Sequence, residues 1–188
     1  MAFITNISGD VISFADAQDV RNIDQRVFEG NEINFTDAGT GATTLDEYLD
    51  DLCERSTTRI LQKFKASTWW QSYNAFVSNP ISNLADLPDL DPNNVKGRQA
   101  AFTDMTVYYC LKEYLLPKIA DFAGGLDNPE VQKITYYDNK FNDLFNELTS
   151  LADWYDYDGS GTVDTDEKAF SYFRTRRTRR RSTLVKVR

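Results

Sequence analysis

Apolar residues recur every three or four positions through most of the chain, the spacing that places side chains on one face of an α-helix. The strongest stripe follows Thr44, which forms a capping-box pattern with Glu47. Its members are Leu45, Tyr48, Leu49, Leu52, Cys53, Ile60, Leu61 and Phe64. This pattern predicts a long amphipathic helix that begins at Leu45.

Two further helices flank this one along the chain. Residues 14–28 carry a shorter apolar stripe, with Ser13 in the capping position. Residues 95–122 carry a longer stripe that contains Pro117, and proline removes a helical hydrogen bond. We therefore expect a short first helix and a long helix that is kinked at Pro117.

The last helical pattern begins at Asn128 and Pro129, a capping residue followed by a first-turn proline, and continues to Trp154. Only a short glycine-containing turn separates it from the preceding long helix. We therefore expect the two helices to pack antiparallel, with Leu111 and Leu144 buried between them.

The remaining segments predict loops and arms. Residues 1–14 are too irregular for a helix and are expected to form an extended arm, and no strand is expected before the C-terminal tail. Trp69 and Trp70 belong to an aromatic cluster that is more typical of a core or subunit contact than of a ligand site. The predicted fold class is all-α: a helical bundle over residues 1–173 with an extended N-terminal arm, followed by an extended tail over residues 174–188.

Residues 156–167, here called the acidic loop, have the sequence D-Y-D-G-S-G-T-V-D-T-D-E. Carboxylate and hydroxyl oxygens stand at loop positions 1, 3, 5, 9 and 12, position 7 offers a carbonyl, and glycine stands at position 6. That order resembles an EF-hand loop and predicts a calcium site. The expected ligands are Asp156, Asp158, Ser160, Thr162 through its carbonyl, Asp164 and Glu167.

Two alternatives limit this interpretation. The same residues could form a solvated acidic turn between two helices. EF-hand loops also usually occur in pairs, and the other similar segment, which begins at Asp89, has Asn94 in place of glycine and Ala100 in place of the terminal glutamate. A single loop therefore favours a structural clip between helices over a calcium switch.

Composition narrows the functional classes. The chain has 188 residues, of which 41% are hydrophobic, and it has no histidine. Without the commonest general base and zinc ligand, an enzyme is not expected. Cys53 and Cys110 are expected to be buried free thiols. No apolar run is long enough to span a membrane, and the N-terminal residues lack the pattern of a signal peptide, so use or assembly inside the cell is expected.

Charge is strongly polarised along the chain. The net charge is −8, yet residues 174–188 hold eight of the 21 basic residues and no acidic one. The preceding residues therefore hold 13 basic and 29 acidic residues, a net charge of −16. A basic tail on an acidic body is typical of contacts between neighbouring subunits, or with nucleic acid or another acidic surface. Binding of nucleic acid is the weaker alternative, because the acidic body would repel phosphate.

The tail is the predicted partner-binding element. Arginine pairs with carboxylates through two parallel hydrogen bonds, and the alternating residues near the C-terminus could add a strand to a partner's sheet. The expected contact residues are Arg174, Arg176, Arg177, Arg179, Arg180, Arg181, Leu184, Val185, Lys186 and Val187.

The order of these segments resembles the head-tail connector, or adaptor, proteins of tailed bacteriophages. The resembling stretches are F-A-D-A-Q-D-V-R-N-I-D-Q-R-V-F, E-R-S-T-T-R-I-L, S-T-W-W-Q-S-Y, V-Y-Y-C-L-K-E-Y-L-L-P-K-I, Y-Y-D-N-K-F-N-D-L-F-N-E-L and the basic tail. The calcium-type loop is not a defining feature of that family.

The resemblance implies a structural virion protein assembled in the host cytoplasm, without contact to a membrane. Its subunits would form a ring of about twelve copies beneath the portal, with the tails docked into the portal and a downstream neck or tail protein below. Genome DNA would pass through the ring without sequence recognition, and an acidic wall would not retain it. The alternative is a calcium-dependent regulatory protein with a single EF-hand-like loop.

Overall fold

The computed structural model describes residues 3–29, 41–77, 87–122 and 128–163, and this part of the chain is mainly helical. The helices are α1 (Ala17–Ile23), α2 (Leu45–Lys65), α3 (Thr68–Val77), α4 (Gln99–Cys110), α5 (Leu116–Ile119) and α6 (Pro129–Leu151). Two 3-10 turns, Gln25–Val27 and Pro92–Asn94, lie between them. Within the described residues, no helix is long and apolar enough to cross a membrane.

Both capping predictions for the longer helices are confirmed. The hydroxyl of Thr44 accepts the backbone N–H of Glu47, whose carboxylate accepts the N–H of Thr44 in return. The side chain of Asn128 accepts the N–H groups of Glu130 and Val131, and Pro129 stands in the first turn. These bonds satisfy N–H groups that have no partner inside the helix, and they fix where α2 and α6 begin.

The helices α4 and α6 pack antiparallel, as predicted. Arg98, just before α4, pairs with Glu147 near the end of α6, whereas Lys112, which follows α4, pairs with Asp138 nearer the start of α6. The side chain of Lys112 is only 8% exposed, and its ammonium lies 4.5 Å from the centroid of the Phe141 ring. An ion pair and an aromatic face thus compensate the burial of this charge.

The predicted kink at Pro117 takes the form of a local change in helical winding. The turn Leu111–Leu115 is π-helical and joins α4 to α5, where Pro117 follows. Proline cannot donate to the carbonyl four residues earlier, and its ring crowds that carbonyl. The wider turn before Pro117 accommodates this defect while Leu111 and Leu115 stay fully buried.

The core consists of two apolar clusters. One joins α1, α2 and the residues around the π-turn, and it is mainly aliphatic. The other is mainly aromatic and joins α2, α3, α4 and α6 to the residues that follow α6. Its fully buried rings are Phe14, Phe64, Phe102, Phe141 and Trp154.

Cys53 and Cys110 are buried free thiols, as predicted, and the structure adds that they contact each other. Both lie in the aliphatic cluster, one on α2 and the other on α4. The hydrogen bond between the two thiols, together with burial, raises the pKa of Cys53 far above its usual value. The side chain of Cys53 therefore stays protonated in the folded protein.

The N-terminal residues differ from the prediction. Ile4–Thr5 (β1) and Val11–Ser13 (β2) form a short antiparallel hairpin, so the expectation of no strand before the tail is wrong. A hydrogen bond attaches the hairpin to the rest of the protein: the side-chain oxygen of Asn93 accepts the N–H of Val11. The first helix is capped by Asp16 rather than Ser13, because Asp16 and Asp19 form a reciprocal capping box.

Two further predictions need correction. The helix expected to start near Val95 starts at Gln99, because Val95 pairs with Tyr155 in an isolated β-bridge instead. Leu111 is fully buried as predicted, but Leu144 is only half-buried. The face of α6 that meets the core is centred on Phe141 and Leu148, and Leu144 lies at its edge.

This geometry predicts different costs for two leucine truncations on one helix. Leu148→Ala should lower the free energy of unfolding by about 2–5 kcal/mol, because it leaves a cavity among buried aromatic rings. Leu144→Ala should cost roughly half as much or less, because part of its surface already contacts water. Urea unfolding of the two variants measures both values, and equal costs would contradict the assigned face of α6.

Candidate calcium loop

The first half of the acidic loop is ordered around the carboxylate of Asp156, which is fully buried. Its Oδ1 atom accepts the backbone N–H groups of Gly159 and Ser160 at 2.9 and 3.2 Å, and its Oδ2 atom accepts that of Gly161 at 2.7 Å. A carboxylate has about four lone-pair positions, so three donors leave one position for a cation. The carboxylate therefore shapes the turn and remains able to ligate.

The other described ligand candidates lie on the same turn. Asp158 accepts the N–H of Ser160 at 2.9 Å, and the hydroxyl of Ser160 lies 3.1 Å from the carbonyl oxygen of Thr162. Neighbouring oxygens around a calcium ion, each at roughly 2.3–2.6 Å from it, have a similar separation. The turn thus brings two of the expected ligand oxygens together.

Backbone conformation explains the glycines in the loop. Gly159 and Gly161 have φ values of +73° and +91°, in the left-handed region that other residues rarely adopt. With glycine there, the chain can reverse direction within a few residues and direct its N–H groups at Asp156. The glycine at loop position 6, singled out from the sequence, has this role.

Asp158 is suited to remain charged. The hydrogen bond from the backbone N–H of Ser160, followed by that from its side chain, lowers the pKa of Asp158 below its usual value. The carboxylate therefore keeps its negative charge to more acidic pH than an isolated aspartate does. A cation would meet it in the ionised form.

The remaining predicted ligands, Asp164 and Glu167, lie outside the described residues, as does the basic tail over residues 174–188. Within the described ranges, no group of three or more Asp, Glu, Cys or His side chains could hold a metal ion. The described half contributes two carboxylates, one hydroxyl and one carbonyl. This all-oxygen donor set is the chemistry of a hard cation such as calcium rather than of zinc.

The chain before the loop is paired with a segment about 60 residues earlier. The N–H of Asp156 donates to the carbonyl of Asn94 at 2.8 Å, and Tyr155 forms a β-bridge with Val95. The hydroxyl of Tyr155 also accepts the N–H of Asp91 at 3.1 Å. Asp91 belongs to the segment that fails the EF-hand pattern, and the structure shows that this segment supports the acidic loop.

Aromatic rings support the loop on another side. Tyr157, at loop position 2, stacks on Trp70 with the ring centroids 6.0 Å apart and the ring planes at 13°. Trp69 lies 4.9 Å from the ring of Trp154, between α3 and the loop. The two tryptophans are thus part of the core, as the sequence indicated, and they also contact the candidate site.

Sequence reasoning missed these supports because they carry no ligand pattern. The one local signal was Asp91 followed by Pro92, which is typical of a capped turn. Gly97 and Arg98, described below, had no recognisable motif. Their positions follow only from how residues 91–98 fold against the residues after α6.

The loop geometry predicts a specific change in amide exchange. In calcium-free buffer, Asp156→Ala should speed hydrogen exchange at Gly161 roughly tenfold or more, because a hydrogen bond to a charged acceptor contributes about 1.5–3 kcal/mol. Asp158→Ala is the matched control, since Asp158 bonds to Ser160 and not to Gly161. NMR-detected exchange separates the variants, and equal protection of Gly161 in both would contradict the central role of Asp156.

Comparison with known proteins identifies no relative for the loop or for the bundle around it. The chain matches no protein-family model, no curated protein and no solved structure.

Proposed function

We propose that this chain is a structural subunit of a bacteriophage head-tail connector, a homo-oligomeric ring beneath the portal. The observation that carries the proposal is the position of the segments that resemble this family. Each helical segment of that resemblance lies within or overlaps a described helix. The central one, residues 107–119, contains Leu111, Leu115 and Leu116, all fully buried.

The charge distribution supports the same role. Asp46, Glu47, Asp50 and Glu54 lie on the exposed side of α2, opposite the face that packs into the core. A surface of this kind repels phosphate groups, so DNA can pass along it without being retained. The basic tail then has carboxylates to bind on a portal or on a neighbouring subunit, and specific reading of DNA is not required.

The acidic loop has a structural role in this proposal. Calcium would be held by Asp156, Asp158, Ser160, the carbonyl of Thr162, Asp164 and Glu167. It would supply positive charge that offsets the repulsion among the loop carboxylates. The loop follows α6 and leads toward the tail along the chain, so an ordered loop would join the bundle to its docking element.

Calcium binding is the first expected outcome. Calorimetry of the full chain should show one calcium ion bound, and Glu167→Gln should weaken it most, because position 12 offers two carboxylate oxygens. The matched control is Asp166→Asn, which removes the same charge from the neighbouring residue at a position that does not ligate. Equal affinities in the two variants, or no gain in Tm on adding calcium, would leave only an acidic turn.

Portal docking through the tail is the second expected outcome. Deleting residues 174–188 should leave a folded subunit that no longer joins the portal. Replacing the six arginines of residues 174–181 by lysine keeps the charge but removes the fork geometry, so docking should weaken while binding to DNA changes little. Co-sedimentation with portal and with DNA measures both. Normal docking with reduced DNA affinity after the deletion would contradict the proposal.

The rival calcium-dependent regulator predicts a different size response. A connector ring is large with and without calcium, whereas a regulator changes shape when its cation binds. Small-angle scattering of the full chain in calcium and in chelator distinguishes the two.

A further inference from the structure

Residues 154–156, which lead into the acidic loop, are hydrogen-bonded through their backbone to residues 94–97. Asp156 donates its N–H to Asn94, and the carbonyl of Trp154 accepts the N–H groups of Lys96 and Gly97, each at 3.0 Å. Together with the bridge between Val95 and Tyr155, these bonds fix three consecutive residues that end at the first ligand. The position of that ligand is therefore set by backbone hydrogen bonds from a distant part of the chain.

Gly97 allows the two segments to approach closely. A Cβ atom at this position would lie 2.5 Å from the carbonyl oxygen of Asp153 and 2.9 Å from the Cα atom of Trp154. Both are backbone atoms, so no side-chain rotation could relieve the overlap. Any larger residue at position 97 has to displace the chain two or three residues before Asp156.

Arg98 holds the same junction through its side chain. Its guanidinium donates to both carboxylate oxygens of Asp153, at 2.6 and 3.0 Å, and to Glu147 at 3.0 Å. Arg98 and Ala152 have φ values of +52° and +51°, and they are the non-glycine residues with positive φ in the described chain. Arg98 directly follows residues 94–97, and Ala152 lies just before residues 154–156. Local backbone strain is therefore concentrated where these two segments pair.

The bridge between Val95 and Tyr155 lies at a different loop position from the contact between two paired EF-hand loops. Joined loops meet at position 8, which is Val163 here, whereas the isolated bridge in the described residues is at Tyr155, just before position 1. Val163 is half-buried. The support for the loop thus comes from its incoming chain and from within the same subunit.

We infer that residues 94–98 take the place of a second EF-hand loop, with Gly97 and Arg98 as positioning residues that hold Asp156 in place to bind calcium. This inference rests on the proposed calcium site and identifies what organises it. Because the supporting segment belongs to the same chain, calcium binds to each subunit independently. Its affinity therefore does not depend on protein concentration.

The test compares calcium affinity with stability in variants that keep every ligand. Gly97→Ala should lower calcium affinity at least tenfold in calorimetry of the full chain. The control is Val20→Ala, a truncation of a fully buried side chain in the aliphatic cluster, which should lower Tm in chelator without changing calcium affinity. Arg98→Lys keeps the charge and loses the fork to Asp153, so it should give a smaller loss of about threefold, and it serves if Gly97→Ala does not fold.

Three results would overturn the inference. If the folded Gly97→Ala and Arg98→Lys variants bind calcium with wild-type affinity, this inference is wrong, but the proposed calcium site is not contradicted. Affinity that rises with protein concentration, together with calcium-dependent dimers in sedimentation, would show that two copies pair their loops instead. A wild-type chain that binds no calcium would overturn the calcium site and this inference together, while the portal-docking experiment would still test the connector proposal.

Discussion

Trp154 is the residue on which both the aromatic core and the acidic loop depend. Its indole is fully buried and lies 4.8–4.9 Å from the rings of Phe64, Trp69 and Phe102, which belong to three different helices. Its Nε1–H donates to the carbonyl of Leu148 in the last turn of α6, which also accepts the N–H of Ala152. Its own carbonyl accepts the two N–H groups that hold the chain before Asp156. A single side chain and its peptide group therefore link the end of α6 to the position of the candidate ligand.

Two lysines of the body form ion pairs that join parts of the chain distant in sequence. Lys133 and Tyr137 on α6 both bond to Asp24, which is 7% exposed, and burial followed by the bond to Asp24 raises the pKa of Tyr137 far above its usual value. Lys112 is paired internally in the same way with Asp138. Each of these pairs joins two parts of the chain and neutralises one cation together with one carboxylate. The excess of acidic residues in the body is therefore carried by the other carboxylates.

The sequence was informative where local chemistry decides structure. The capping box at Thr44 and the Asn128 cap before Pro129 define helix starts through bonds within a few residues, so the starts of α2 and α6 could be predicted. The start of α4 could not, because Val95 is drawn into a bridge with Tyr155, a partner 60 residues away. Leu144 was misplaced for a similar reason, since helical periodicity leaves the exact centre of the buried face to the neighbouring helices. The candidate ligands of the acidic loop are predicted from their spacing, but the residues that support the loop act through backbone contacts without a side-chain pattern.

The contact between Cys53 and Cys110 gives the protein an internal reporter of helix separation. Thiol reagents attack the thiolate, and both the hydrogen bond between these thiols and burial suppress the thiolate of Cys53 while α2 and α4 stay packed. Modification therefore requires an opening that exposes the aliphatic cluster. When closing is faster than the chemistry, the rate of modification is proportional to the fraction of molecules in the open state, and its logarithm gives the free energy of opening. The stability of this half of the core can thus be measured without denaturant.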